Sequence, residues 1–415
     1  MRLILHIGTE KTATTTIQHF LYQNQGALAK KGIALSNVLG QPNNRKLPAY
    51  CQSAIPSDEF FRKRRIRTIQ QKDAFFEGFE DELRGDVAAQ AKTADCMVIT
   101  SEHLRSTLQK PGDIQTLQAL LAPLFSDIRV VCYFREQSAM AKSLYSTGIK
   151  SGNTSTFAEV LLKCTPDDHR YNYHTSFSKW ATVFGRDNVQ ARLFHKDHLV
   201  QGDICADFLQ VVDPALTLAD FAPLQGNMNE SLGFRGIELG RINNVVNTKF
   251  HADGGNNLTR RRVLDAIMKT DMAQQGELDF SVAPDIHAAF DASNRAFAET
   301  FLGRSDNPFP APRVKPPGEA TDEGAKSAAD FMGFWQEFLT AMRDAPILTD
   351  THAAALRNLA ARIESGEGLS AEDSQTLKGI ANRIRPDSKP AGKPVKKTKA
   401  GGKAGRQRKA GKAAG

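Results

Sequence analysis

The chain has 415 residues, 40% of them apolar, and a formal net charge of +8. It is long enough for one large domain or two, with a sizeable core. The charge is uneven: residues 383–415 hold 12 Lys/Arg and one acid, Asp387, while residues 1–382 hold 42 Lys/Arg against 45 Asp/Glu. The globular part is therefore mildly acidic, and the basicity belongs to a tail of Lys, Arg, Ala, Gly and Pro that cannot order itself by burial. Binding to an anionic polymer or an anionic membrane face is one reading of that tail, and a solubilising extension is the other. No aromatic residue interleaves its charges, which argues against stacking on nucleic acid. Cys51, Cys96, Cys132, Cys164 and Cys205 show neither metal nor redox spacing and fit a reducing compartment. No segment approaches a membrane span, and the first apolar run is too short for a signal peptide. The expected location is the cytoplasm, with a peripheral seat at the inner face of the membrane if the tail binds one.

In chain order, residues 3–7 are apolar and read as a buried strand. They run into Gly8-Thr9-Glu10-Lys11-Thr12-Ala13-Thr14-Thr15-Thr16-Ile17-Gln18, where a helical pattern begins. Ile17, Phe20, Leu21 and Leu28 mark one helix face, with Gly32 as its stop. Residues 33–35 read as a short strand, 37–58 as a loop, and 59–92 as charged helix. A strand over 97–100 and an amphipathic helix over 113–125 follow. Ile128-Arg129-Val130-Val131-Cys132-Tyr133-Phe134 is a second buried strand, and it leads into a helix carrying Ser143. Residues 171–184 read as helix, stopped by Gly185, and 189–194 as strand. This alternation predicts an α/β fold of three layers, with a central parallel sheet and crossover helices. Residues 1–310 form that domain, 311–324 a Pro/Gly-rich linker, 325–382 a small helical appendix, and 383–415 a disordered basic tail.

The strand–Gly8–helix segment has the form of an anion cradle. The first amides of a helix have no intrahelical partner, and the helix dipole adds positive potential there. Lys11 adds a full charge, and Thr12, Thr14, Thr15 and Thr16 add hydroxyl donors. A Lys/Thr-rich helix start taken alone is an ordinary N-terminal cap. It is not a Walker A loop, because no Gly directly precedes Lys11. The segment resembles the 5′-phosphosulfate loop of the bacterial sulfotransferases, whose pattern is Gly-x-x-Lys-Thr-Gly-Thr-Thr-x-x-Gln. It departs at Ala13, where that family usually has Gly, and at Glu10, where it often has Pro. A Cβ at position 13 crowds the phosphosulfate if the backbone there takes φ > 0.

A second segment resembles the same family. Its 3′-phosphate motif has Arg at a strand end, Ser eight residues on, and often Tyr two residues after that. Arg135, Ser143 and Tyr145 fit this spacing, with Gln137 in place of a usual Pro. An Arg fork takes a phosphate bidentately. The run from Tyr171 through His174, Trp180 and Phe184 to Asn188, the segment Asn229-Glu230-Ser231-Leu232 and the helix over 293–302 are also similar, so the resemblance spans roughly residues 1–310.

The resemblance implies a sulfotransferase that uses 3′-phosphoadenosine 5′-phosphosulfate (PAPS) as co-substrate and needs no metal. Gly8, Thr9, Lys11, Thr12, Ala13, Thr14, Thr15 and Thr16 are the implied phosphosulfate-binding residues, and Arg135 and Ser143 the implied 3′-phosphate ligands. Lys11 would meet the leaving oxygen. Glu102, in Ser101-Glu102-His103 at the end of an apolar strand, is the preferred base, with His103 as its rival. The implied acceptor is a hydroxyl of a carbohydrate or glycolipid. Arg62-Lys63-Arg64-Arg65-Ile66-Arg67, beside Phe60 and Phe61, reads either as an acidic-ligand patch or as a solvated helix face. Two other readings stay open: a non-catalytic relative that binds nucleotide or polyanion, and a P-loop nucleotide kinase.

Overall fold

The computed structural model describes residues 1–55, 59–224, 232–250 and 255–313, with Ala354 and Asn358 as isolated positions. The helical appendix, the basic tail, most of the linker and Asn229 to Ser231 lie outside the described residues.

Five strands form one parallel sheet: β1 (Arg2–His6), β2 (Ile33–Leu35), β3 (Cys96–Thr100), β4 (Ile128–Phe134) and β5 (Val189–Leu193). Their order is β2-β3-β1-β4-β5. The chain leaves β1 toward one edge of the sheet and leaves β4 toward the other. Right-handed crossovers then carry the two connections to opposite faces. Their loops diverge at the carboxyl ends of β1 and β4, and a crevice opens between them.

The side chains follow the period of two that a sheet covered on both faces requires. Ile4, Val98, Val131 and Tyr133 share one core with Ile17, Phe20 and Leu21 of the Thr14–Gln23 helix and with Phe208 and Leu209 of the Ile204–Val212 helix. Leu3, Leu5, Ile99, Cys132 and Phe134 share the other with Leu83, Ile114, Leu117, Phe177 and Phe297. The three layers expected from the alternating pattern are therefore present.

Three local readings differ from the structure. The helix expected through Leu28 is broken at Asn24, whose amide donates to Phe20 O and Ala222 O while its Oδ1 accepts from Ala222 N. The Pro/Asn-rich stretch expected to be all loop contains the Lys46–Cys51 helix, which buries Leu47, Ala49 and Cys51. The charged stretch expected as helix over 59–92 is three helices, Glu59–Lys63, Ile69–Phe75 and Phe79–Gln90, with Arg65 (φ 57°) and Gly78 (φ 75°) left-handed between them. A small helical lobe, Phe234–Val246 with Leu258–Met268, packs Ile237, Val263 and Ile267 on Tyr145 and Ile149. Among the described residues no helix is long and apolar enough to cross a membrane.

One buried polar network ties β4, β5 and the Ile204–Val212 helix together. Tyr133 donates its hydroxyl to Asp207 Oδ1 at 2.5 Å, and Arg192 grips both oxygens, Nε to Oδ1 at 2.6 Å and Nη2 to Oδ2 at 2.5 Å. Asp207 is fully buried. Removing it leaves a phenol and a guanidinium without their acceptor. We expect Asp207→Ala to lower the unfolding free energy by about 3 kcal/mol or more in urea titrations, and an unchanged midpoint would show the network to be dispensable.

Candidate active site

The loop after β1 is fixed by the backbone of β4. Tyr133 N donates to Gly8 O at 2.8 Å, and Thr9 N donates to Tyr133 O at 3.0 Å. Gly8 has φ 109°, and a Cβ there would lie 3.1 Å from Glu102 Cα. Both the conformation and the close approach require Gly. The Thr9 hydroxyl donates to Tyr133 O at 2.6 Å, and the hydroxyls of Thr12 and Thr14 converge on Thr9 O at 2.6 and 3.1 Å. Thr9 and Thr12 are thus buried struts of the loop, and their hydroxyls point inward. Lys11 and Ala13 are left-handed at φ 65° and 58°. Ala13 caps the Thr14–Gln23 helix with no side-chain hydrogen bond, and the first turn carries no acid. The positive end of this helix faces the crevice without an internal anion.

Glu102 stands at the end of β3, on one side of the loop. Its Oε2 accepts from Gln18 Nε2 at 2.8 Å, and its Oε1 lies 3.6 Å from His103 Nε2. Arg135 stands at the end of β4, on the other side. It donates Nη1 to Lys11 O at 3.3 Å, while its own carbonyl accepts from the Tyr173 hydroxyl at 2.6 Å. Glu136 caps the following helix, Gln137–Lys150, by accepting from Ala139 N at 2.8 Å. That helix carries Ser143 and, one turn later, Thr147, whose hydroxyl accepts from Lys11 Nζ at 2.8 Å. Gln137 is buried in a reciprocal amide pair with Asn294, at 2.6 and 3.2 Å.

Lys11, Ala13, Thr14, Thr15, Thr16, Glu102, His103, Arg135 and Ser143 all line one cleft of about 1640 Å³. Gly8, Thr9 and Thr12 lie beneath it. Leu232, Ile237, Leu278 and Phe280 make an apolar wall on the side of the helical lobe. Burial pushes the Lys11 ammonium below the usual lysine range, and the neighbouring Arg135 and Lys150 push it further the same way. Burial likewise lowers Arg135. These cations have lost hydration that a bound anion would replace.

Sequence reasoning passed over Gln18, Thr147, Tyr173 and Glu10 as site residues. Gln18 closes the loop pattern quoted above, so its signal was present. Thr147 and Tyr173 had none beyond their helices. Burial raises Glu10 above the ordinary carboxylate range, against the pull of Arg170 and Arg105.

Neither a family model nor a curated protein matches the chain. A solved structure described as a sulfotransferase from Alicyclobacillus acidocaldarius is similar at 19% identity, over 55% of this chain and 85% of that one, with a TM-score of 0.32. A likeness that faint has no bearing on the chemistry of this site.

An L-residue in the left-handed region costs about 1–2 kcal/mol. Glycine gives back part of that relief through its freer unfolded chain. Ala13→Gly is therefore expected to raise unfolding stability by roughly 0.5–1 kcal/mol. A lower urea midpoint would mean that the Ala13 methyl, which packs beside the first core, contributes more than its backbone strain costs.

Proposed function

We propose that this chain transfers the sulfuryl group of PAPS to a hydroxyl of a carbohydrate or glycolipid. The observation that carries the reading is the convergence of two separate strand-end loops on one cleft. Lys11 and the first turn of the Thr14–Gln23 helix face it from β1, and Arg135 with Ser143 from β4. The first group suits the sulfuryl and 5′-phosphate oxygens. The second suits a 3′-phosphate, the group that separates PAPS from ATP.

The reaction needs an oxygen–sulfur bond made and another broken in line. The acceptor oxygen attacks sulfur and loses its proton to the Glu102 carboxylate. The bond from sulfur to the bridging oxygen breaks, and its electron pair stays on the 5′-phosphate of adenosine 3′,5′-bisphosphate. Lys11 would compensate that charge as it develops. Gln18 holds one oxygen of Glu102 and leaves the other on the His103 side, which orients the base. His103 is the alternative proton acceptor.

Calorimetric titration with adenosine 3′,5′-bisphosphate, AMP and ATP tests the donor site. The bisphosphate should bind most tightly, and Arg135→Ala should weaken it roughly 10- to 100-fold, the value of a charge-assisted hydrogen bond to phosphate. Equal affinity for AMP would point to the non-catalytic reading, and Mg²⁺-dependent ATP turnover to a kinase. In sulfuryl-transfer assays Lys11→Ala should abolish measurable turnover, and Glu102→Gln should reduce kcat about 10²- to 10⁴-fold with bisphosphate affinity intact. A Glu102→Gln enzyme with full activity, beside an inactive His103→Ala enzyme, would reassign the base to His103.

A further inference from the structure

A second cavity, of about 630 Å³, opens on the β3 side of the loop. It shares Glu10 and His103 with the main cleft. Because β3 and β4 flank β1, it lies across the loop from Arg135 and Ser143. With a donor's 3′-phosphate on the β4 side, the β3 side offers an entry for an acceptor.

This cavity is strongly cationic. It holds five Arg/Lys side chains against two carboxylates, Glu10 and Glu59. Glu59 is already taken by Lys63 at 2.5 Å and Lys249 at 3.3 Å. Arg105 is only 2% exposed, and its Nη2 donates to neutral groups, Ser176 Oγ at 2.7 Å and Arg170 O at 3.1 Å. Its buried Nε has no hydrogen-bond partner, and no carboxylate among the described residues is within ion-pair distance of it. Its guanidinium carbon also lies 5.4 Å from the Tyr173 ring centroid and 5.7 Å from that of Phe134, and an anion at Nε would complete its partners. Arg64 is held over the Phe60 ring at 3.9 Å, with Nη1 donating to Phe60 O at 3.2 Å, and stands with exposed Arg170 at the mouth. His169, in the same wall, is lowered to about 4 by burial and by Arg105, so it faces the cavity uncharged at neutral pH.

We propose that this cavity is an acceptor subsite for an acidic saccharide, with a sugar carboxylate seated among Arg64, Arg105 and Arg170 and a neighbouring hydroxyl directed toward Glu102. The orientation of the hydroxyl rests on the sulfuryl-transfer reading; the anion site does not. The volume suits one or two sugar rings. Glu10, at the junction of the two spaces, can accept a hydrogen bond from a sugar hydroxyl and would repel a carboxylate placed too near the sulfuryl group.

The test is calorimetry on the full chain with an unsulfated tetrasaccharide of alternating glucuronate and N-acetylhexosamine. Its control is the same chain with the carboxylates reduced to alcohols. Each is titrated with and without saturating adenosine 3′,5′-bisphosphate. The charged chain should bind at least about tenfold more tightly than the reduced one, as a charge-assisted contact implies. The double substitution Arg64→Ala, Arg170→Gln should erase that difference while leaving bisphosphate affinity unchanged. Equal binding of both saccharides, or binding of neither, overturns the subsite. Charge-selective saccharide binding by a protein that fails to bind the bisphosphate supports the subsite and overturns the donor reading.

Discussion

Tyr133 is held from three directions, and the site depends on each. Its amide and carbonyl extend the parallel ladder past the end of β1 and clamp Gly8 and Thr9. Its hydroxyl reaches to Asp207 of the Ile204–Val212 helix, which Arg192 of β5 also grips. The loop after β1 therefore rests on a residue anchored by a buried, doubly satisfied carboxylate. A loop of Thr, Lys and Ala with two left-handed residues has little intrinsic preference for one shape. Its shape comes from the strand beside it, and that strand is fixed by a network in the layer that also holds the Thr14–Gln23 helix. Buried polar groups that are fully satisfied give this kind of rigidity.

The second organising feature is electrostatic. The carboxyl ends of β1, β3 and β4 bring Lys11, Arg105 and Arg135 to one edge of the sheet, each partly stripped of water. Glu10 and Glu102 lie between them and offset some of that charge, yet burial still dominates the shifts of Lys11 and Glu10. The result is a row of desolvated cations interrupted by two carboxylates. Such a row favours a ligand with several anionic groups spaced along it.

Much of this was legible from residue order. The apolar runs fixed β1 and β4 closely, and the alternation of strands and helices implied the parallel sheet. Lys11, Thr14 to Thr16, Glu102 and Arg135 could be picked out because each sits at a strand-to-helix junction, and Ser143 because it follows Arg135 at a fixed spacing. What could not be read was the use of each hydroxyl. Thr9, Thr12 and Thr14 have the same chemistry as Thr15, but their hydroxyls are used inside the loop: Thr9 donates to Tyr133 O, a contact that spans more than 120 residues of sequence, and Thr12 and Thr14 donate to Thr9 O. Gln137 shows the same limit. In the pattern it is a missing Pro, whereas in the fold it is half of an amide pair with Asn294. The Lys46–Cys51 helix was hidden because its Pro and Asn neighbours signal turns, and only the core around Leu47 and Cys51 shows why it coils. The Phe234–Val246 helix has a weakly patterned sequence, since it packs on the Leu258–Met268 helix, on the Asp271–Gln274 turn and on the Gln137–Lys150 helix.

Ala13 brings these levels together. Its left-handed backbone is the conformation for which Gly is best suited, so Ala carries strain at the helix end that faces the cleft. The strain is confined to the three residues from Lys11 to Ala13, where Lys11 is also left-handed and Thr12 between them is pinned to Thr9 O. That pin prevents the loop from relaxing into an ordinary helical turn. The two left-handed residues and the buried hydroxyls beneath them thus hold the first turn of the helix against the cleft.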